Sequence, residues 1–185
     1  MERAGTGCWS HGLFAASPPA ASAPARVTFE AKPGKIQLRL SVEGAASEVL
    51  DAETREFAVP DLTSPQTALG TPEVFRARTL RDFQQLKGDP KAVPVAAREF
   101  SRSDRLLVRV PAWGPANSTP KLTARLLNRG GQAMSDLPVG PAAAPGAPFE
   151  IDMPLAGLAP GEYVLEVSAA GEGGEAKELV GFRVS

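Results

Sequence analysis

Two runs of this sequence carry the side chains best suited to binding another protein. RLLVRV and KLTARLLNR each place one leucine between two arginines at alternate positions. The six residues are Arg105, Leu107, Arg109, Arg125, Leu127 and Arg129. Arginine beside apolar side chains is typical of protein interfaces. The runs therefore predict an interaction face for a neighbouring domain or a protein partner, the alternative being an ordinary solvent face with cross-strand packing.

This face exists only if the two runs are neighbouring strands of one sheet. The intervening residues, such as Val108 and Leu126, would then point towards the core. Leu107 and Leu127 would lie together on one exposed face. Burial of these two leucines in the chain's own core would exclude the interface.

The other reactive side chains do not form a recognisable site. His11, the only histidine, stands three residues from Cys8, the only cysteine. A catalytic imidazole needs a rigid frame and a third group that orients it, and zinc needs four ligands or three and a water. Carboxylates recur within residues 51–61 and 172–178 without the dense Asp/Asn/Gly pattern of a calcium loop. The sequence therefore predicts a protein that is not an enzyme, with no catalytic residue, metal ligand or cofactor site.

The charge balance and hydropathy exclude two classes of partner. Twenty Lys and Arg against 21 Asp and Glu give a net charge of −1. Without a charge excess there is no general attraction to nucleic acid. The sequence also has no apolar run near the ~20 residues that span a bilayer. We therefore predict neither nucleic-acid binding nor a membrane span.

The elements that must position these side chains are β-strands. The chain holds 18 Gly and 18 Pro but only 6% aromatic residues, a composition that favours short strands and turns over helices. Apolar residues alternate with polar ones in 149–153, 163–169 and 180–184. Pro160-Gly161 predicts a turn, in which Gly161 is expected to need a backbone angle that only glycine tolerates cheaply.

The pattern along the chain predicts an all-β protein of immunoglobulin- or fibronectin-like antiparallel β-sandwich modules with one short helix, TLRDFQQLK. Residues 1–25 are predicted to be a disordered Ala/Pro-rich linker. Residues 26–95 form a first small β module, complete or incomplete, and residues 96–185 an immunoglobulin-like sandwich. The alternative for the first segment is a set of extra strands on that sandwich.

Four motifs, FSRSDRLLVR, LLNRGGQAM, PLAGLAPGEYVLEV and EAKELVGFRV, carry a family resemblance. With the upstream VTFEAKPGKIQLRLSVEG, they make residues 26–185 resemble the C-terminal region of bacterial VWFA-related domain proteins. The resemblance implies an exported protein whose von Willebrand A domain would precede this region. The DxSxS metal motif of that domain is absent here, so no metal site is carried over.

These observations predict a non-catalytic structural or protein-interaction module, as the C-terminal part of an exported VWFA-related protein. The alternative function is an accessory carbohydrate-binding β-sandwich of a secreted enzyme. That alternative needs a row of exposed aromatic rings, for which Trp113 and Tyr163 are the candidates outside the linker. Tyr163 is predicted to point inward.

Overall fold

A computed structural model describes residues 29–44, 46–59, 61, 65–143 and 147–185. The predicted linker of residues 1–25, with Cys8 and His11, lies outside these ranges. The chain divides into two compact units, Met1–Pro60 and Asp61–Ser185.

The elements are strands for the most part, which confirms the predicted all-β class. In chain order they are β1 (Gly34–Glu43), β2 (Val49–Val59), β3 (Ala68–Leu69), β4 (Glu73–Ala77), α1 (Leu80–Gly88), β5 (Glu99–Phe100), β6 (Arg105–Val110), β7 (Ala112–Trp113), a 3-10 turn (Pro115–Asn117), β8 (Lys121–Asn128), β9 (Ala133–Leu137), β10 (Val139–Gly140), β11 (Phe149–Pro154), β12 (Gly161–Gly171) and β13 (Gly174–Val184).

The described residues of the first unit form a long antiparallel hairpin of β1 and β2. Its register runs from Gly34 opposite Val59 to Glu43 opposite Val49, with one irregularity near the turn that leaves Leu50 unopposed. Because opposed residues share a face, the alternating sequence gives the hairpin an apolar face and a polar face. The apolar side chains are Ile36, Leu38, Leu40, Val42, Phe57 and Val59, and the β2 side of the same face also carries Asp51, Glu53 and Arg55.

The second unit is a sandwich of two principal antiparallel sheets. One sheet has the order β10-β11-β6-β4, and the other has the order β5-β13-β12-β8-β9. The order of connection is that of an immunoglobulin-like fold. The sheet of β4, β6, β10 and β11 faces a sheet in which β8, β12 and β13 are neighbours. One pairing departs from the antiparallel pattern, because β5 runs parallel to β13.

The inner faces of the two sheets form one core. The alternating residues predicted to point inward do so, because each apolar row meets the row of the opposite sheet. The core includes Leu106, Val108, Val110, Leu122, Ala124, Leu126, Phe149, Ile151, Met153, Tyr163, Leu165, Val167, Ala169, Val180, Phe182 and Val184.

Tyr163 fixes the corner at which the chain enters β12. Its ring stacks on Phe182 at a centroid distance of 5.8 Å, and its hydroxyl donates to the Ala159 carbonyl at 2.7 Å. This is the tyrosine corner of immunoglobulin-like sandwiches. Leu165 stands two residues later, where antibody domains place the second cysteine of their inter-sheet disulfide, and it is buried.

Helix α1 forms because its first turn is capped from both directions. The Thr79 hydroxyl accepts from the Asp82 amide, and the Asp82 carboxylate accepts from the Thr79 amide, both at 3.1 Å. This capping box satisfies two of the donors that a helix N-terminus leaves free. The helix buries Phe83 against the outer face of the sheet that contains β4 and β6.

The boundary between the units differs from the one expected near residue 95. β4 pairs with β6 over residues 73–77, and α1 packs on the same sheet, so residues 65–95 fold with the sandwich. The physical reason is that β4 supplies an edge strand and Phe75 supplies part of the cluster beneath α1. Among the described strands and helices, the β1–β2 hairpin alone belongs to the other unit.

Gly161 does not need the special backbone angle that the sequence led us to expect. Its φ is not among the positive angles, which belong to Gly34, Gly131 and Gly174 among the described glycines. A Cβ at Gly161 would approach the Tyr163 ring only to 3.8 Å, an ordinary contact. That expectation was wrong, because Gly161 is already the first residue of β12 and the hydrogen-bonded turn lies earlier, where the Leu158 amide donates to the Leu155 carbonyl at 3.0 Å.

Gly173 is a glycine of this sandwich that close backbone packing requires. A Cβ there would lie 2.5 Å from the Thr67 amide nitrogen and 2.8 Å from the Pro65 carbonyl oxygen. We expect Gly173→Ala to lower the free energy of unfolding by about 1–3 kcal/mol, because backbone must move apart. Gly161→Ala, measured beside it by urea denaturation, should change that free energy by about 0.5 kcal/mol or less. Equal losses in both variants would contradict this assignment.

Candidate functional site

The predicted arginine–leucine face is divided between two sheets. β6, with Arg105, Leu107 and Arg109, lies in the four-stranded sheet, and β8, with Arg125 and Leu127, lies in the five-stranded one. Because the two sheets pack core to core, the outer sides of β6 and β8 point in opposite directions. The six residues therefore do not form one patch, and the predicted interface is wrong in this form.

Leu107 lies beneath α1 and has no exposed surface. It packs in a small cluster with Phe75, Ala77 and Phe83, outside the main core. The β6 row does make an interface, as its residue types suggested, but the partner is the chain's own helix. The residue pattern does not indicate this pairing, because α1 and β6 are separated by the loop that contains β5.

Arg109 holds the carboxyl end of α1. Its guanidinium donates to the Leu86 carbonyl at 2.6 Å and the Asp89 carbonyl at 2.9 Å, and pairs with Glu150 at 3.1 Å. The same group lies 5.0 Å from the centre of the Phe75 ring. Helix carboxyl ends leave carbonyl oxygens without partners and carry partial negative charge, so a buried guanidinium there satisfies both needs.

Arg105 is the second attachment of the helix. Its guanidinium lies 4.4 Å from the centre of the Phe83 ring on α1 and makes two hydrogen bonds to Asp152, the Nε bond being 2.7 Å. These bonds raise the pKa of Arg105 above the ordinary guanidinium value. Arg105 and Arg109 thus contact α1 from the two sides of Leu107 on one strand face.

The arginines of β8 belong to an ionic outer face of the five-stranded sheet. Arg125 pairs with Glu166 at 3.6 Å, and Lys177 reaches the same carboxylate at 3.0 Å. Arg129 pairs with Glu162 at 3.2 Å. Leu127, 9% exposed, opposes half-buried Val164 within this face. These contacts are those of a solvent face with cross-strand pairs, which was the alternative interpretation.

A groove of about 390 Å³ opens between the sheets beside β9. Apolar side chains line most of it, including Leu137, Met153 and Leu158, and Arg105 and Asp152 provide its charged wall. Because that arginine and that aspartate are bonded to each other, neither charge is available to orient a ligand. The groove therefore has room for an apolar side chain but little basis for selecting one.

The apolar face of the β1–β2 hairpin is exposed, although the sequence pattern suggested that it would be buried. Leu40 is 47% exposed, Val42 is 58% exposed and Phe57 is 44% exposed. The alternation in IQLRLSV predicted the strand and its apolar side correctly. It also suggested a core beneath that side, whereas the first unit is a two-stranded sheet with no second layer among the residues described.

Together these features define a class of protein: an immunoglobulin-like β-sandwich accompanied by an amphipathic β-hairpin with an exposed apolar face. Neither a family model nor a curated protein matches the sequence. Within the described ranges, histidine, cysteine and carboxylate side chains do not gather in threes that could hold a metal ion. The helical residues of the same ranges include no segment long and apolar enough to cross a membrane.

Proposed function

We propose that this chain is a non-catalytic structural and protein-interaction module whose contact surface is the apolar face of the β1–β2 hairpin. The single observation that carries the proposal is the exposure of Leu40, Val42 and Phe57 on one face of a two-stranded sheet. Such a hairpin is marginally stable by itself in water, because it buries little apolar surface. A partner that covers this face supplies the missing layer.

The two faces of the hairpin differ enough to give binding a direction. Behind the apolar row lie Lys35, Gln37, Arg39 and Ser41, and Gln37 bonds to Glu56 across the strands at 3.4 Å. This reverse face is suited to water. An exposed apolar row backed by a polar row marks one side of the hairpin as the side that docks.

Charged residues border the apolar row and supply a rim. The register places Asp51 opposite Val42, Glu53 opposite Leu40 and Arg55 opposite Leu38. Protein interfaces combine an apolar centre with a polar edge of this kind. Full burial of one such Leu, Val or Phe contributes about 1.5–3 kcal/mol, so the remaining exposed surface of the row supports a docking contact rather than an obligate core.

The setting we propose follows from the resemblance to bacterial VWFA-related domain proteins. In such a protein the chain is the C-terminal region, and the hairpin contacts a neighbouring domain or a separate protein. The resemblance also suggests an exported protein. The β-sandwich architecture agrees with this setting without identifying the partner.

The carbohydrate-binding alternative receives no comparable support. The ring of Tyr163 is buried and its hydroxyl is bonded to the Ala159 carbonyl. Trp113 is half-buried, and its ring lies against Gly70. A Cβ on that glycine would be only 3.2 Å from the ring. The chain's own packing therefore accounts for both aromatic residues on which that alternative depended.

Site-specific photo-cross-linking tests the proposed surface. A benzoylphenylalanine at position 40, on the apolar face, should give one discrete cross-linked protein in cells of the source organism, and the probe at Ser41, on the polar face, should not. Excess wild-type chain should suppress the product, whereas excess Leu40→Asp chain should not. Equal products from both positions, or equal competition by both chains, would contradict the proposal.

A further inference from the structure

The outer edge of β2 is a second feature of the hairpin, distinct from its apolar face. β2 pairs with β1 on one side, and on the other side no strand of the described residues adjoins it. An edge strand presents alternate N–H and C=O groups that can pair with another strand. The eleven residues of β2 contain no proline, lysine or glycine, and the one irregularity, at Leu50, lies near its start. The remaining device against edge pairing is the set of four charged side chains, Asp51, Glu53, Arg55 and Glu56, so a strand that pairs with this edge must match their charges.

The charges of β2 match themselves in one antiparallel arrangement. Within one chain the Arg55 guanidinium donates to the Glu53 carboxylate at 2.8 Å. With Thr54 opposite Thr54 of a second copy, this pair meets the same pair in reverse order, so Glu53 faces Arg55 of that copy and Arg55 faces its Glu53. Thr54 is also the middle residue of Val49–Val59. Opposite charges directly across a strand pair are favourable, and like charges are unfavourable.

Other centres bring like charges together. A centre at residue 53 opposes Glu53 to itself, and a centre at 55 does the same with Arg55. A centre at 52 opposes Asp51 to Glu53, while centres at 51 and 56 oppose an acidic residue to itself. Of the centres from residue 51 to 56, Thr54 alone gives opposite charges and no like pair.

The edge of β1 offers a shorter match. Its charges are complementary about Ser41, where Arg39 faces Glu43 of a second copy. That arrangement uses only residues 39–43 because β1 ends at Glu43. The Thr54 arrangement pairs Asp51–Phe57 before it reaches the irregularity at Leu50.

We propose that β2 pairs with β2 of a second copy, antiparallel and centred on Thr54, to form a two-fold symmetric dimer. The four-stranded sheet has the order β1-β2-β2-β1. It leaves the apolar face of each hairpin free for the domain or protein that docks there. The contact is isologous and therefore closes, whereas pairing of β1 with β2 of another copy would continue into a fibre. This inference extends the proposed function, since a dimer presents two docking faces, but it concerns the edge and not the face, so either can fail alone.

A charge exchange between chains tests the pairing. Arg55→Glu places two Glu–Glu pairs in the dimer, and Glu53→Arg places two Arg–Arg pairs, so each variant should dimerise about tenfold or more weakly than the wild type. Mixing the two variants restores every opposite-charge pair between chains while each chain keeps like charges within itself. Sedimentation of the full chain over a concentration series should therefore show dimers in the mixture and not in either variant alone.

Two results would overturn the dimer. One is a wild-type chain that sediments as a monomer throughout the series. The other is a mixture no more dimeric than its components. Neither result bears on the proposed docking face, because the cross-linking from position 40 reads β1 and not the edge of β2.

A disulfide experiment tests the register without altering charge. In a Cys8→Ser background, Thr54→Cys places two thiols directly opposite each other and should give a covalent dimer on mild oxidation. Ala52→Cys on the same face is the control, since its two copies would lie about 14 Å apart at 3.4 Å per residue. Equal disulfide yields from both positions would overturn the Thr54-centred arrangement.

Discussion

Replacing Arg109 by methionine should lower the free energy of unfolding of the sandwich by about 3 kcal/mol. The substitution keeps most of the apolar stem but removes the guanidinium that bonds to the Leu86 and Asp89 carbonyls. Glu150, which is half-buried, loses its buried partner in the same step and keeps the more distant Lys87 ammonium at 3.8 Å. A half-buried charge that loses its nearer partner, and helix carbonyls left without donors, are both costly.

Arg125→Met is the matched control for this loss. Arg125 is also a strand arginine paired with a glutamate, but about half of its side chain is exposed. Exposed pairs contribute about 0–1 kcal/mol, so urea denaturation should separate the two variants clearly. Hydrogen exchange should also quicken across residues 80–88 in the Arg109 variant alone. Equal stability of the two variants would mean that Arg109 does not hold the helix.

Leu107→Ala should cost about 3 kcal/mol of unfolding free energy, close to the Leu→Ala range of fully buried sites. Leu107 fills the space between β6 and α1 with Phe75 and Phe83, and its removal leaves a cavity that these rings cannot fill without moving the helix. If Leu107 lay on an exposed interface, the isolated chain would lose almost nothing. The measurement therefore decides between the helix-covered strand and the exposed face that the sequence suggested.

Leu179→Ala serves as the control for that variant. Leu179 is 59% exposed on the outer face of β13, so its truncation should change the free energy of unfolding by about 0.5 kcal/mol or less. Thermal unfolding of both variants beside the wild type is sufficient. A loss at Leu107 no larger than the loss at Leu179 would contradict the packing of α1 on β6.

The strands of the sandwich could be predicted because burial has a short period in the sequence. In 149–153, 163–169 and 180–184 every second residue lies in the core, and the alternation of apolar and polar residues predicts which ones these are. The order of strands within the sheets could not be read in the same way. It depends on which rows meet across the core, and many apolar rows of similar size could exchange places.

The sequence identified arginine and leucine as the residue types that make a contact on β6. It did not predict where that contact lies or what covers it. Arg105 and Arg109 do bind an apolar neighbour, but an intervening helix of the same chain covers them. The pattern of one strand cannot show what lies above its outer face. For the hairpin the error was the opposite, because the row around Leu40 suggested a core, and the described residues of the first unit form none.

The parallel pairing of β5 with β13 has a mechanical consequence. Backbone bonds join Arg183 to Arg98 at 2.7 Å, Ser185 to Phe100 at 2.9 Å and Arg102 to Ser185 at 3.3 Å. A pull on β13 towards its carboxyl end, against β5 held from its amino end, slides two parallel strands past each other. These bonds lie across the direction of pull and share the load at once, whereas a strand peeled from one end breaks its bonds in turn. The last strand of the sandwich is thus loaded in shear, so that its backbone bonds to the β5 segment must break together rather than one after another.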